Sequence, residues 1–387
     1  MHIFTGTAYE RGEQHGKELA EAIRDRVGRS LSPDFNAAQR TRIAQPWLEA
    51  TEDLDNDLVR EMAGIAAGSG TTLAEVVLLN SFEALKLLEL DDEGGCTAVG
   101  VTTNGDTVIG QNWDVIAQHS IGVAVHWHRD PDAPDVAVLA SPGGLGWAGM
   151  NEYGLALVNN ALRGGPIART APSQAIRRFL LKQTSSSSAV SAAMDIEHPA
   201  LRSYVLADPT GALVGLEVLP DQSPVVWTDT STALAHANHA MAPKVRAVED
   251  RQLQELVFPS SAHRGTRAAA LLADLTAQPP ESSDHQVGLR QILRDHDQLP
   301  LSICRHPDPS EATYTAASVV LNCTTRQAEF HLGLACEPYT SETVDFDTSS
   351  NSVAGSESWS RNQCLVDSAS DSDAGTSSPA VSAPANS

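Results

Sequence analysis

The stretch EGGCTAVGVTTNGDTVIGQNWDV, Glu93 to Val115, marks a change of period in the chain. Upstream of it, polar and apolar residues recur at helical spacing. From Cys96 onward they alternate, as in a half-buried strand. Cys96–Thr103 and Asp106–Trp113 are predicted strands, and Asn104-Gly105 between them is a two-residue hairpin signal. Such a hairpin returns Asn112 and Asp114 to the neighbourhood of Cys96. Gly94 and Gly95 remove side chains just before the cysteine, so the backbone can take strained torsions and other groups can approach the peptide bond. A lone cysteine is most often a small buried hydrophobe. The two glycines and the polar residues across the hairpin make Cys96 a candidate nucleophile.

Upstream, helical spacing runs over Tyr9–Val27 and Glu52–Ala67, the latter stopped by Gly68. Thr72-Leu-Ala-Glu75 reads as a capping box for a helix over Val76–Leu90. Downstream, strands are predicted at Ile121–Arg129, Asp135–Ala140 and Trp147–Asn160, the last with a turn at Glu152–Gly154. Helices follow at Pro172–Gln183 and Ser187–Met194. Strands return at Tyr204–Ala207, Leu213–Val218 and Val225–Trp227. Helices at Ala262–Leu275 and Gln286–Asp295 precede a last pair of strands, Thr313–Asn322 and Gln327–Leu332. Blocks of strands and blocks of helices, without a βαβ rhythm, give an α+β class with antiparallel sheets. One domain is expected over residues 1–342. Residues 343–387 collapse into Ser, Asp, Ala and Gly and form an expected disordered tail.

The chain has 387 residues, 41% hydrophobic and 19% charged, enough for a sizeable core. Its net charge of −23 repels nucleic acid and anionic membranes, and neither is expected as a partner. The five cysteines are an odd, scattered set with neither a disulfide framework nor a CxxC zinc pattern. The N-terminus lacks the apolar core of a signal peptide, and no apolar run approaches a membrane span. A cytoplasmic protein without metal or cofactor is the resulting expectation.

Two chemistries suit Cys96. With the Gly95–Cys96 bond intact, the thiol needs a histidine as base. With that bond cleaved, Cys96 owns an α-amine of pKa near 7.7–8.0, and one residue carries both nucleophile and base. The cleavage itself could be autocatalytic, by attack of the thiol on the Gly95 carbonyl and an N-to-S acyl shift.

Several further motifs recur in a fixed order: YERGEQHG at Tyr9–Gly16, Gly-Cys-Thr then GQNWD, GMNEYGLALVNNAL at Gly149–Leu162, ANH at Ala237–His239, ICRHP at Ile303–Pro307, and a closing hairpin over Thr315–Pro338. In this the chain resembles the acyl-coenzyme A:6-aminopenicillanate acyltransferase (isopenicillin-N acyltransferase) family, cousins of the bile-salt hydrolases and penicillin V acylases. The resemblance spans roughly Tyr9 to Glu337. It departs from the family pattern in placing Gly94, not an acidic residue, directly before Gly95-Cys96, with Glu93 one position further back. It implies the four-layer αββα sandwich of N-terminal-nucleophile hydrolases, cut at Gly95–Cys96 into an α subunit (1–95) and a β subunit (96–342 in its core) that stay docked. It implies Cys96 as nucleophile, its freed amine as base, and Asp114 as the acid that holds that amine. Asn238 resembles the oxyanion-hole asparagine, Asn160 a second polar residue near the oxyanion, and Arg305 an arginine that reaches into the site. The implied activity is amide hydrolysis or acyl transfer on small N-acyl compounds through a thioester. No cofactor is implied; a coenzyme A thioester would fit as a substrate carrier, although no phosphate-binding motif marks one.

Two rival readings stay open. One is an uncut cysteine hydrolase with His239 as base; the other is a non-catalytic acidic binding or scaffold member of the fold. Gln111 and Asn112 would shape the pocket without a chemical role. His126 and His128 share one strand face but lack a third metal ligand. His236, His239 and the run Asp295-His296-Asp297 have no spacing that forces a site. The glycines at 143, 144 and 146 lack the context of a dinucleotide or phosphate loop and would let a loop approach the pocket.

Overall fold

The computed structural model describes residues 1–82, 95–103, 105–229, 231–278, 284–309, 313–337 and 341–347. The second half of the helix expected over Val76–Leu90 and nearly all of the expected tail lie outside them. The chain opens with β1 (His2–Thr5) and five helices: α1 (Ala8–Glu18), α2 (Ala20–Ser30), α3 (Ala37–Leu54), α4 (Asn56–Ser69) and α5 (Leu73–Asn80). The hairpin follows as β2 (Cys96–Thr103) and β3 (Asp106–Ile116), then a short α6 (Ala117–Ser120). β4 (Ala124–Arg129), β5 (Val136–Ala140), β6 (Ala148–Asn151) and β7 (Ala156–Ala161) lead to α7 (Ser173–Leu180) and α8 (Ser186–Met194). β8 (Arg202–Ala207), β9 (Leu213–Leu219), β10 (Gln222–Thr228) and β11 (Ala233–His236) come next. α9 (Pro243–Arg246), α10 (Arg251–Val257), α11 (Ser261–Thr276) and α12 (His285–Leu293) precede β12 (Thr313–Asn322), β13 (Gln327–Leu332) and β14 (Ser341–Asp345).

The strands form two sheets, ordered β1-β4-β5-β6-β7-β8-β9-β10 and β11-β2-β3-β12-β13-β14. Among the described residues only the β1–β4 pairing is parallel. The alternation read in the sequence explains the layers. Ala98, Ile109, Ala156, Val158, Val205, Ala317 and Phe330 point between the sheets into one shared core. On the outer face of the larger sheet, Val138, Leu157, Leu206 and Val218 pack on α7 and α8, and α2–α5 add a further cluster. On the outer face of the smaller sheet, Val99, Val101 and Val320 pack on α11 and α12. The fold is therefore a four-layer αββα sandwich, the N-terminal-nucleophile hydrolase arrangement.

Several boundaries differ from expectation for local reasons. The helix expected over Tyr9–Val27 breaks at Leu19 (φ −110°, ψ 21°) into α1 and α2. β1 and β11 are four residues each, too short to announce themselves by alternation. β14 carries the domain past residue 342, because Val344 is buried on the edge beside β13. Among the described residues no single helix is long and apolar enough to cross a membrane.

The motif YERGEQHG has a packing function. A Cβ on Gly12 would stand 2.0 Å from the Glu61 carbonyl oxygen, and one on Gly16 2.3 Å from that of Ile65. Reciprocally, a Cβ on Gly64 would meet the Tyr9 carbonyl at 2.2 Å and one on Gly68 the Glu13 carbonyl at 2.3 Å. Helices α1 and α4 thus touch backbone to backbone. No rotamer change relieves such a clash, so Gly12→Ala is expected to cost about 3 kcal/mol, the upper end for overpacking. Gly28→Ala is the control: nothing lies within 4 Å of its Cβ position, and it sits inside α2. That substitution should gain up to about 1 kcal/mol. Urea unfolding of the two variants checks both, and equal midpoints would refute the close packing.

Under this helix pair, Glu61 is buried with Arg178 at 3.1 Å and Arg11 at 3.5 Å. Burial pushes its pKa up, but the two guanidinium groups outweigh that and hold it below the usual carboxylate range. His126 and His128 lie in the same layer, their rings 5.4 and 5.6 Å from Phe4. Burial holds both imidazoles well below their usual pKa. They are neutral packing residues of the core.

Candidate active site

Cys96 is the first residue of β2 and pairs with Trp113 of β3, in a register closed by Thr103 opposite Asp106. The turn holds Gly105 at φ +81°, as a two-residue hairpin requires. β3 in turn pairs with β12, where an irregularity between Thr315 and Ala317 breaks the ladder beside Asp114. Bulges of this kind re-aim side chains next to sites, and here the Thr315 hydroxyl donates to Asp114 Oδ1 at 2.7 Å. The backbone N–H of Asp114 donates to the Gly95 carbonyl at 2.8 Å. The other carboxylate oxygen, Asp114 Oδ2, is buried without a hydrogen-bond partner. It lies 3.2 Å from where a Cβ on Gly95 would be, and Arg264 Nη2 would be 2.8 Å from that Cβ. A side chain at position 95 would crowd both groups.

The peptide groups of Cys96 are held on both sides. Its N–H donates to Asn238 Oδ1 at 2.9 Å. Its carbonyl accepts from Asn160 Nδ2 at 2.9 Å and from Arg264 Nη1 at 2.6 Å. Asn238 follows the end of β11, which pairs with β2 and so delivers it to the start of that strand. Asn160 comes from β7 of the facing sheet. It points inward, as Ala156 and Val158 do. Its neighbour Asn159 turns the other way, accepting from Arg177 of α7 at 3.0 Å. That alternation sends the two adjacent asparagines to opposite faces of β7.

Asn238 has a different orientation from the one its expected role suggests. Its Nδ2 donates to the Ala161 carbonyl at 3.0 Å, and its Oδ1 faces Cys96. In the intact chain it orients the backbone of the nucleophile, with one of its two amide hydrogens spent on Ala161. Arg305 sits beside Asp114 and lowers its pKa, against a larger opposite push from burial; the net effect leaves Asp114 above the usual carboxylate range. All five expected residues therefore converge on one point from β2, β3, β7 and the segments after β11 and before β12.

Arg264 of α11 is the residue that sequence reasoning missed. It is fully buried, and besides Cys96 it reaches Thr97 Oγ1 at 2.8 Å, Asn238 Oδ1 at 2.8 Å and Ser260 Oγ at 2.9 Å. Burial lowers its pKa to about 10, which still leaves it a cation at neutral pH. A signal was present: the buried stripe Ala268, Leu272, Leu275 of α11 extends back through Arg264 to Ser261.

The other candidates take structural roles. Asn112 donates to the Leu293 and Ile303 carbonyls at 2.7 and 3.0 Å and ties α12 to β3. Gln111 donates to the Asn159 carbonyl across the sheets. His236 contacts Glu217 at 2.9 Å, and His239 contacts Ser261 Oγ at 2.8 Å. Burial, chiefly, lowers the His239 pKa to about 4. Among the described residues no histidine hydrogen-bonds Cys96. Burial and then the Asp114 carboxylate push the thiol up to about 12.

Cys96 opens onto a pocket between the sheets. Trp113 and Trp147 line it, stacked at 4.3 Å, with Val115, Leu139 and Val319 beside them. Ser141 and Trp147, on either side of the run of glycines at 143, 144 and 146, also reach it. Arg202 and Gln111 supply polar wall. The arrangement offers a thiol, several N–H donors around two peptide carbonyls, a carboxylate, and an apolar slot.

Residues 101–335 match the model of a family described as acyl-coenzyme A:6-aminopenicillanic acid acyl-transferase. The chain is 26% identical over 342 residues to the acyl-coenzyme A:6-aminopenicillanic-acid-acyltransferase 40 kDa form of Emericella nidulans, an alignment covering 86% of this chain and 92% of that protein. Among solved structures, penicillin V acylase from Agrobacterium tumefaciens superposes over 65% of this chain and 86% of its own, with 13% identity and a TM-score of 0.44. A variant of conjugated bile acid hydrolase from Clostridium perfringens covers 70% of this chain and 100% of its own, with 13% identity and a TM-score of 0.47.

Proposed function

This chain belongs to the acyl-coenzyme A:6-aminopenicillanic acid acyl-transferase family, and from that premise we propose that it is a self-processing cysteine N-terminal-nucleophile enzyme that hydrolyses or transfers the acyl group of small N-acyl compounds. Acyl transfer is the chemistry named for its relative in Emericella nidulans. The observation that carries the reading is the pinning of Cys96: its N–H, its carbonyl and the preceding Gly95 carbonyl each meet a placed partner, and no histidine among the described residues reaches its thiol.

Processing comes first. Cys96 Sγ attacks the Gly95 carbonyl carbon, whose oxygen already accepts from the Asp114 N–H. The C–N bond breaks as the nitrogen takes up the proton that the thiol gave up, so Cys96 gains an amine, and the Gly95 acyl group rests on sulfur until water releases it as a carboxylate and restores the thiol. In turnover that amine takes the thiol proton as Sγ attacks a substrate carbonyl in the pocket. Asn238 Oδ1 and the unpartnered Asp114 Oδ2 hold and orient the amine. Asn160 and the second hydrogen of Asn238 Nδ2 are the oxyanion donors. The ammonium protonates the leaving amine, a thioester remains on Cys96, and water or an acceptor amine resolves it. Arg305 balances the charge of Asp114. The tryptophan pair favours an apolar acyl group.

The test is a panel of N-acyl amides and β-lactam amides with acyl groups of graded length, quenched early. An acyl mass on the peptide that begins at Cys96 supports the reading; turnover with the label elsewhere sinks it.

A pH dependence follows for processing. At a thiol pKa of about 12, only about one thiol in 10⁵ is ionised at pH 7. A carboxylate such as Asp114 is far too weak a base to take that proton in a pre-equilibrium. Cleavage of newly synthesised chain should therefore accelerate about tenfold per pH unit between about pH 6 and 9. Cell-free synthesis followed by a pH jump measures it, and a flat rate would point to an internal base.

A further inference from the structure

Away from the nucleophile, four residues that the proposed chemistry does not use converge. His296 follows α12, Cys304 and His306 flank Arg305, and Cys336 follows β13. One ligand atom from each lies within 4.8 Å of all the others. His306 Nε2 is 3.1 Å from His296 Nε2 and 3.2 Å from Cys336 Sγ. The two rings stand 4.9 Å apart at 76°, and Cys304 and Cys336 are not joined in a disulfide.

We propose that His296, Cys304, His306 and Cys336 form a tetrahedral Cys2His2 site for a divalent transition metal of zinc's class. Two of the six edges carry the comparison. Zinc–nitrogen bonds of about 2.0–2.1 Å and zinc–sulfur bonds of about 2.3 Å at tetrahedral angles give edges of roughly 3.3 Å between nitrogens, 3.6 Å from nitrogen to sulfur and 3.8 Å between sulfurs. The two measured edges stand a few tenths of an ångström inside these values. A hydrogen-bonded cluster explains the convergence less well. A neutral imidazole nitrogen with one proton or one lone pair cannot satisfy both His296 Nε2 and Cys336 Sγ at once, whereas a central cation accepts a lone pair from each.

The surroundings fit a structural site. Four protein ligands leave no open position, and two thiolates would neutralise the dication. The ligand loop is braced from outside: the Cys304 N–H donates to the Asp295 carbonyl at 2.9 Å, and Arg267 of α11 bridges the Asp295 carboxylate at 2.7 Å. The metal would tie the loop over residues 296–306 to the segment after β13. Between two of its ligands it would fix Arg305, whose N–H donates to Thr315 Oγ1 at 2.9 Å, the hydroxyl that holds Asp114.

The experiment uses the full chain with Cys96→Ala, so that neither cleavage nor turnover enters. Purified without metal-affinity steps, with a separate aliquot alkylated at lysis for peptide mapping, it should carry about one zinc per chain by atomic emission. Cys336→Ser and His306→Asn should each lower that at least tenfold. Should those variants fail to fold, the parent chain still decides: exchanged with Co(II), it should show the intense visible bands of tetrahedral cobalt and a thiolate-to-cobalt charge-transfer band. A metal-free chain without those bands overturns the proposal, and so does a peptide map in which Cys304 and Cys336 are joined to each other.

Discussion

Cys96→Ala is expected to run as one full-length chain of 41.0 kDa, whereas the unaltered protein yields two pieces of about 10 and 31 kDa split between Gly95 and Cys96, by share of length. Intact mass under denaturing conditions reads both. The argument rests on what the site lacks as much as on what it holds. A thiol pushed up to about 12, with no histidine bonded to it among the described residues, is a poor nucleophile for repeated turnover at neutral pH. An α-amine with pKa near 7.7–8.0 supplies the missing base. The fragments should remain associated, because β1 pairs with β4 and the α2–α5 cluster packs against Leu145 and Ala175 of α7 from across the cut. Turnover should be abolished in Cys96→Ala, since nucleophile and base vanish together. A single full-length mass in both proteins would remove the amine from the mechanism. It would return the choice to a histidine-assisted hydrolase or a non-catalytic member of the fold.

What could be read from the sequence follows from how local each determinant is. The Cys96 hairpin was legible because Asn-Gly fixes its turn, and the turn fixes which residues of β3 face β2. Asp114 therefore came with Cys96. Asn160, Asn238 and Arg305 came through motif order, and only the alternation of β7 shows which of two adjacent asparagines faces the nucleophile. Spacing puts Arg264 on the buried stripe of α11 but cannot name its four partners, which sit on β2, after β11 and at the start of α11. The metal ligands were illegible for the same reason: Cys304-Arg-His306 is a fragment of a pattern that Cys336 and His296 complete only in space. Short edge elements such as β1 and β14 owe their place to one buried residue each, Phe4 and Val344, too little to show as a pattern.

Arg264→Ala should lower both self-cleavage and turnover by about 10²–10³-fold, the loss seen when one preorganised donor is taken from a site that stabilises developing charge. A buried guanidinium is costly to keep, since desolvation takes several kcal/mol that its partners must offset. This one spends its hydrogens on the Cys96 carbonyl, Thr97, Ser260 and Asn238 Oδ1. The last contact matters most. Two donors, the Arg264 guanidinium and the Cys96 N–H, converge on Asn238 Oδ1 and so fix which way that amide faces. Without Arg264 the amide is held only by the Cys96 N–H and the Ala161 carbonyl, so it is less firmly placed, and the nucleophile loses a donor on its own carbonyl. Arg264 is thus a positioning residue, and a purely structural role is separable from it. Arg264→Lys keeps the charge but cannot span four acceptors in fixed geometry. Arg264→Lys should therefore recover thermal stability more fully than it recovers the turnover number, with the loss falling on kcat and not on KM. Parallel recovery of stability and kcat in the lysine variant would reduce Arg264 to a buried counter-charge for Asp114.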